Sequence, residues 1–178
     1  MLTAERSRRA QAPRWLGQSL DRTIRALERE LGVIDQQIAA RLEHSAVLKP
    51  RRDLITSVPG VGPVLSATWL ARRPELGRLN RGAIAALAGV APYTRHRGQW
   101  RGQAMIRGGR APVRTALYMA TLSAVRFNPA LQSFYRRLRA AGKTPKLALT
   151  ACMRKLFVIL NAMLKHSTPW RSPCPAAL

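Results

Sequence analysis

The chain has 178 residues, and its 31 Lys/Arg against 8 Asp/Glu give a net charge of +23 at pH 7. The excess is uneven, since Glu75 is the last acidic residue and residues 76–178 carry 18 Lys/Arg and no carboxylate side chain. This composition indicates a polyanionic partner, DNA or RNA, which relieves the self-repulsion of such a surface. It also excludes from residues 76–178 a two-metal nuclease or polymerase site, because such a site needs clustered carboxylates.

The rest of the composition is that of a globular protein of a reducing compartment. Hydrophobic residues make up 47% of the chain, enough for one ordinary core. Two cysteines are too few for a disulfide framework, and the basic start leads into no apolar signal segment. The most apolar run, residues 156–160, is too short for a bilayer, so we expect a cytoplasmic protein. The histidines stand apart from any Cys or acid at ligand spacing, and we expect no metal.

The N-terminal part of the chain predicts a long helix with a partner. Residues 1–18 are basic, with Trp and Pro, and we expect an irregular, flexible leader there. Over residues 19–49 apolar side chains recur at alternating spacings of four and three, the seam of a coiled coil. A homo-oligomer would form through the seam residues Leu20, Ile24, Leu27, Leu31, Ile34 and Ile38. The alternative is a single amphipathic helix packed on its own domain.

A glycine turn between two helical patterns follows. The segment Pro59-Gly60-Val61-Gly62-Pro63 separates apolar residues at helical intervals on both sides. Glycines allow positive φ and close backbone approach, and a helix start offers N–H groups to a phosphate oxygen. The pattern predicts a helix-hairpin-helix element in which Gly60, Val61 and Gly62 contact a nucleic-acid backbone. Valine at either glycine should then weaken binding and leave the fold intact. The alternative is a merely structural turn between helices.

The most basic segment is rich in glycine and follows a short helix over residues 83–88. Residues 93–110 place five arginines around Tyr93 and Trp100, a composition too polar for a core. We expect a loop or ribbon that contacts nucleic acid through Arg95, Arg97, Arg101, Arg107 and Arg110. The alternative is a solvated flexible loop.

Three more helices are predicted to close an all-α fold. They span residues 112–126, 130–141 and 146–165, and the last is apolar nearly all round. With the segments before them they make one nucleic-acid-binding domain over residues 50–167, followed by a tail over 168–178. Arg114, Arg154 and Lys155 are further candidates for phosphate contacts. The serines in helices, Ser57, Ser66, Ser123 and Ser133, are explained by packing or capping, so the residues alone indicate no active site.

Several ordered blocks of this sequence resemble the C-terminal domain of the IS110/IS116 type of insertion-sequence transposases. The resemblance covers about residues 50–171 and is carried by residues 57–63, 87–92, 110–118, 128–135, 141–143, 148–156 and 161–164. It implies a DNA recombinase guided by a bridge RNA, with a coiled coil for oligomerisation. In that family an N-terminal resolvase-like domain brings four acidic metal ligands, and the C-terminal domain brings a serine nucleophile. The resemblance therefore implies DNA as a partner, with a guide RNA as a further one.

Two departures from this family pattern bear on activity. No acidic domain is found in the sequence, so Mg²⁺ is expected only together with such a domain. Alignment on Gly98 places His96 and Arg97 where the family has Asp and the nucleophilic Ser. A guanidinium is a permanent cation and cannot attack a phosphodiester. We expect the DNA-binding C-terminal part of a transposase, truncated and without its own catalytic centre. The alternative is a stand-alone, non-catalytic nucleic-acid-binding adaptor or regulator.

Overall fold

The computed structural model describes residues 1–72, 75–93, 96–97, 100–101 and 105–172, with the backbone alone for Arg72, His96, Arg97, Trp100 and Arg101. The described residues form eight α-helices and four strands of two residues each, so the predicted all-α class is confirmed. The chain divides into two compact units, Met1–Ala46 and Val47–Leu178.

The first unit is a pair of helices, α1 (Leu2–Gln11) and α2 (Arg14–His44). The Arg9 Nε atom lies 2.7 Å from Asp21 Oδ1, and Arg6 Nη2 lies 2.6 Å from Glu28 Oε1, so α1 is tied alongside the first half of α2. The hydrogen bond from Arg9 also holds the pKa of the Asp21 carboxyl below its usual range. That pKa keeps the carboxylate ionised at neutral pH, and the tie is lost only as the pH falls through the lowered value.

The irregular leader expected over residues 1–18 is not present, and this expectation is corrected. Residues 2–11 are rich in good helix formers, with Glu5 in the first turn and Arg8 and Arg9 in the last, as the helix dipole favours. Pro13 then ends α1, since Ala12 before it adopts an extended backbone with ψ 142°. The proline breaks the segment into two helices and leaves none of it as a flexible leader.

The apolar seam of α2 is half covered and half open. Leu20, Ile24 and Leu27 are half-buried, in the stretch where the ion pairs to α1 lie. Beyond that stretch Leu31, Ile34 and Ile38 keep 43–49% of their surface exposed. The coiled coil therefore stays a prediction, and its open part is the second half of the seam.

The second unit begins with α3 (Leu48–Thr56), α4 (Pro63–Arg72) and α5 (Arg81–Leu87) and ends with α6 (Ala111–Phe127), α7 (Pro129–Ala140) and α8 (Pro145–His166). Helix α8 lies at the centre and packs against α3, α5, α6 and α7. Among the described helices α8 alone is long and apolar enough to cross a membrane by those two criteria. Its buried Leu156, Phe157 and Leu160 are core residues, and packing explains its composition.

Three contacts hold other parts of the chain on this core. Asn161 of α8 is buried, donates to the Leu79 carbonyl at 2.9 Å and accepts from the Gly77 N–H at 2.8 Å. The Trp69 ring meets Phe157 edge to face, with centroids 4.7 Å apart. The segment predicted as a tail also has a core contact, since the Trp170 side chain packs on the core. The backbone N–H of Trp170 donates to Ser57 Oγ at 3.1 Å.

Between α5 and α6 lie four short strands, which together are called the ribbon here: residues 92–93, 96–97, 100–101 and 105–106. Strands β1 (Pro92–Tyr93) and β4 (Met105–Ile106) pair antiparallel at its base. Strands β2 (His96–Arg97) and β3 (Trp100–Arg101) pair in the same sense further out. The second pairing sets Arg97 opposite Trp100 and His96 opposite Arg101. The expected loop or ribbon thus has strand pairing at two levels.

Candidate nucleic-acid interface

The base of the ribbon is fixed by a crossing of three glycines, Gly89, Gly108 and Gly109. All three have positive φ, between 69° and 76°. A Cβ on Gly89 would overlap the Gly108 carbonyl oxygen, and one on Gly109 would overlap the Gly89 nitrogen. Only residues without a side chain allow the two backbone segments to come so close. The glycine crossing therefore brings the chain before β1 and the chain after β4 into direct contact.

Arg114, on the first turn of α6, supports this crossing. Its Nη1 donates to the Gly108 carbonyl at 2.5 Å, and the side chain is half-buried. The phosphate contact predicted for Arg114 stays a prediction, and the structure adds a positioning role at the base of the ribbon. One N–H group of the guanidinium thereby holds the carbonyl of the exposed Gly108 in place.

The remaining predicted arginines of this segment fall into three groups. Arg107 is exposed just after β4. Arg110, at the start of α6, lies with Nη2 3.7 Å from Glu75 Oε1, the last acidic side chain in the sequence. Arg95 lies outside the described residues, and Arg97 and Arg101 are placed by their backbone in β2 and β3. Their roles toward nucleic acid stay predictions.

A groove of about 660 Å³ runs between the base of the ribbon and the N-terminal half of α8. Its apolar wall comes from the ribbon, from α8 and from the chain just before β1, and includes Val90, Pro92, Met105, Ile106, Leu147 and Ala151. Lys146 and Arg154 bring positive charge to the same lining, with Thr150 between them on α8. Arg154, predicted as a phosphate contact, is exposed here. The groove combines apolar surface with two cations.

A second cationic feature is a cation–aromatic cluster of Phe134, Arg137 and Lys155. Arg137 Cζ lies 5.3 Å and Lys155 Nζ 4.3 Å from the centroid of the Phe134 ring. Each cation gains from the ring quadrupole, yet the two like charges converge on one side chain. Residues 76–178 contain no carboxylate that could balance them. The predicted contact Lys155 is thus half of a paired cationic site on α7 and α8.

The glycine turn between α3 and α4 has a different character from the predicted one. Gly60 has φ 87°, and a Cβ there would lie 2.5 Å from Ala124 Cα on α6. The Val61 side chain is buried in the core, and its N–H donates to the Val58 carbonyl at 3.0 Å. Gly62 is exposed with nothing near its Cβ position. Gly60 and Val61 therefore have packing roles within the domain, and their predicted contacts with a nucleic-acid backbone stay predictions.

The surface around this turn is apolar. A groove of about 650 Å³ between the turn and α6 is lined by residues that include Pro63, Val64 and Met119. None of its eleven lining residues, all within the described part of the chain, carries a charge. Val64 and Met119 are 77% and 60% exposed. A phosphate at this helix start would find backbone N–H groups and no cation in the groove.

The described residues provide little nucleophilic or metal-binding chemistry. The Ser57 and Ser66 hydroxyls donate to the carbonyls of Leu54 and Pro63, at 2.7 and 2.8 Å, within their own helix turns. Burial raises the pKa of the Cys152 thiol to about 11, against a smaller opposite effect of Lys155, so the thiol is protonated at neutral pH. No group of three His, Cys, Asp or Glu side chains among the described residues could hold a metal.

Comparison with known proteins identifies this domain. Residues 52–136 match the family model described as Transposase IS116/IS110/IS902 family. The chain is 31% identical over 162 residues to the insertion element IS110 uncharacterized 43.6 kDa protein of Streptomyces coelicolor. It is 30% identical over 150 residues to the insertion element IS900 uncharacterized 42 kDa protein of Mycobacterium paratuberculosis. Residues 52–136 belong to the IS116/IS110/IS902 transposase family.

A third relative matches as well, and the alignments cover only part of each relative. The chain is 28% identical over 173 residues to the pilin gene-inverting protein of Moraxella bovis. These alignments cover 90%, 82% and 95% of this chain but only 39%, 36% and 54% of the three relatives. The chain thus spans between about a third and about half of their length. The match to the family model includes the glycine turn, the ribbon and α6.

Sequence reasoning missed three features of this transposase-family domain: the glycine crossing, the cation–aromatic cluster and the groove at the ribbon. The glycine crossing joins residues about 20 positions apart, and only Gly89 and the Gly108-Gly109 pair signal it. The cation–aromatic cluster was signalled in part by the three-residue spacing of Phe134 and Arg137 on one helix. Its third member, Lys155, and the groove lining residue Lys146 depend on tertiary packing. No local pattern contains that information.

Proposed function

We propose that the transposase-family domain binds DNA and serves as the nucleic-acid-binding part of an insertion-sequence transposase. The observation that carries the proposal is the run of residues 76–178, which holds 18 Lys/Arg and no acid. Many of the described cations in this run lie along α7, α8 and the exit of the ribbon. Two of the relatives are proteins of insertion elements, and the third is named for inverting a gene, which supports DNA as the polyanion.

The salt dependence of binding tests this proposal. With about 6 to 10 phosphate contacts, log K on duplex DNA is expected to fall with log salt at a slope of roughly −5 to −9, because each contact releases condensed counterions. Fluorescence anisotropy, measured at several salt concentrations from about 50 to about 300 mM, gives the slope. A slope shallower than about −2 would contradict a polyanion-binding face.

Paired arginine variants sharpen the same measurement. Arg107→Ala, on the exposed exit of the ribbon, is expected to make the slope shallower by about one. Arg29→Ala, at an exposed position of α2 outside the acid-free run, is the control and is expected to leave the slope unchanged. Equal effects of the two variants would point to charge in general and not to this surface.

We further propose that this chain does not carry out strand exchange by itself. In the family resemblance Arg97 stands at the position of the nucleophilic serine, and a guanidinium cannot form a phosphodiester linkage. Ser57 and Ser66 are bonded within helical turns and lie away from the ribbon in sequence. The carboxylates that would bind Mg²⁺ are absent from the acid-free run, so such a metal would be held by another polypeptide region.

The corresponding measurement is a search for a covalent adduct. Nicked or junction DNA incubated with the protein and Mg²⁺ is expected to migrate free of protein on a denaturing gel. The double variant His96→Asp, Arg97→Ser restores the family pair and is expected to form no covalent adduct, because it lacks metal ligands. A serine-linked adduct with the unmodified protein would overturn the assignment of Arg97.

Other parts of the proposal follow from the family and from α2. The protein forms a homo-oligomer through the open seam of α2. It binds a guide RNA of the bridge type and acts in the cytoplasm. The alternative, favoured by Arg97 at the nucleophile position, is a stand-alone regulator that occupies the same DNA without cutting it. Genomic sequence upstream of Met1 separates the two, since an acidic domain in frame supports the transposase and a promoter supports the regulator.

A further inference from the structure

We propose that the groove between the base of the ribbon and α8 binds an unpaired stretch of a nucleic-acid strand. In this arrangement Met105 of the groove lining and Tyr93, its partner across the ribbon at the edge of the groove, contact the bases. Lys146 and Arg154 contact the phosphates. The inference rests on the proposed function, since it takes nucleic acid as the partner. It goes further by naming the site and the form of the strand that the site takes.

The apolar side of the site is an exposed pair across the ribbon. Tyr93 and Met105 are direct partners in the β1–β4 pairing, so their side chains stand on the same face. They are 61% and 63% exposed, and Leu147 on α8 is 49% exposed. A phenol ring beside a methionine offers a flat, polarizable surface of the kind on which bases stack.

The charged side of the site comes from one face of α8. Lys146, Thr150 and Arg154 are spaced four residues apart and therefore lie on the same helix face. Arg154 follows Lys146 by eight positions, a rise of about 12 Å along the axis, so the two cations can reach separate phosphates of one strand. Residues 76–178 contain no carboxylate that would compete for them.

The form of the strand follows from the size and the lining of the groove. Its volume of about 660 Å³ is that of a pocket for one or two nucleotides and not for a duplex. In a duplex the bases are stacked inside, where Tyr93 and Met105 could not reach their faces. The groove beside the glycine turn has nearly the same volume, about 650 Å³, yet its lining has no cation to hold a phosphate. Charge thus selects the groove at the ribbon.

Binding of a fluorescent oligo-dT and of a duplex hairpin with the same number of phosphates tests the inference on the full chain. Tyr93→Ala is expected to weaken oligo-dT binding about 5- to 100-fold, the loss of one stacked base, and to change duplex binding less than about twofold. Tyr93→Phe keeps the ring and is expected to retain the affinity. Tyr118→Ala is the matched control, because Tyr118 is a tyrosine of α6, 38% exposed, and unlike Tyr93 it is not paired with a residue of the groove lining.

Each outcome decides a different claim. Failure of the unmodified protein to bind either DNA would overturn the proposed function and this inference with it. Normal duplex binding together with equal effects of Tyr93→Ala and Tyr118→Ala on oligo-dT would overturn the groove alone. A parallel pair, Arg154→Ala against Arg126→Ala at the exposed end of α6, is expected to lower oligo-dT affinity more at Arg154. Equal losses in that pair would also count against the groove.

Discussion

Gly60→Val is expected to destabilise the helical domain by about 2 to 5 kcal/mol, the sum of a positive-φ cost and an overpacking cost. A valine Cβ at this position would lie 2.5 Å from Ala124 Cα and 2.9 Å from the Ser123 carbonyl carbon. Both neighbours are backbone atoms of α6, so a rotamer change cannot relieve the overlap. The φ of 87° is unfavourable for a β-branched residue as well. Against a typical domain stability of about 5 to 15 kcal/mol this loss is large.

Urea unfolding followed by circular dichroism measures this effect, with Gly62→Val as the control. Gly62 lies two residues away on the same turn, has no positive φ, and has nothing within 4 Å of its Cβ position. Its variant is expected to unfold within about 1 kcal/mol of the unmodified protein. If Gly60→Val kept its stability and lost only DNA affinity, the packing role of this turn would be wrong.

The second large effect is expected in assembly. Ile34→Asp is expected to raise the dissociation constant of the α2-mediated oligomer at least about 100-fold, because an unpaired carboxylate would enter a dry seam. Analytical ultracentrifugation over a range of protein concentrations measures the change. Ile34 belongs to the open half of the seam and is 49% exposed in the single chain.

Val33 provides a matched control for this substitution. It precedes Ile34 directly and is 48% exposed, but the four-three spacing places it on the outer face of α2. Val33→Asp therefore introduces the same charge with nearly the same loss of exposed apolar surface, and is expected to leave the oligomer intact. Similar dissociation of both variants, or a monomeric unmodified protein at about 50 μM, would contradict association through the seam.

The helices of this protein could be predicted from sequence because their signals are local. The apolar periodicity and the glycine and proline boundaries predicted α4 to α8 within about two residues of their observed ends, the usual precision for such boundaries. There were two exceptions. In α1 a basic composition was read as disorder although Ala, Leu, Glu and Arg are good helix formers. Helix α2 was predicted over residues 19–49 and spans Arg14–His44. Charge alone does not prevent a helix when the opposite charges of a neighbouring helix are in reach.

The candidate site was harder to predict because its parts are joined by packing. A glycine turn has the same local sequence whether its backbone faces a phosphate or a neighbouring helix, and only the tertiary structure shows that Gly60 packs against Ala124. Likewise Arg114 looks like any surface arginine until the Gly108 carbonyl is placed beside it. The charge asymmetry, in contrast, needed no structure, since it is a property of the composition.

The glycine crossing has a consequence for how this protein can change. Because Gly89, Gly108 and Gly109 already bring together the chain before β1 and the chain after β4, the attachment points of the eleven-residue segment 94–104 are set by residues outside it. Lengthening such a loop adds only about 0.6 kcal/mol of closure entropy for each doubling, and the helical core does not register the difference. The segment can therefore be replaced by another sequence without loss of the fold. Grafting a loop of another length or composition between Tyr93 and Met105 would alter what the protein contacts while the rest of the domain folds as before.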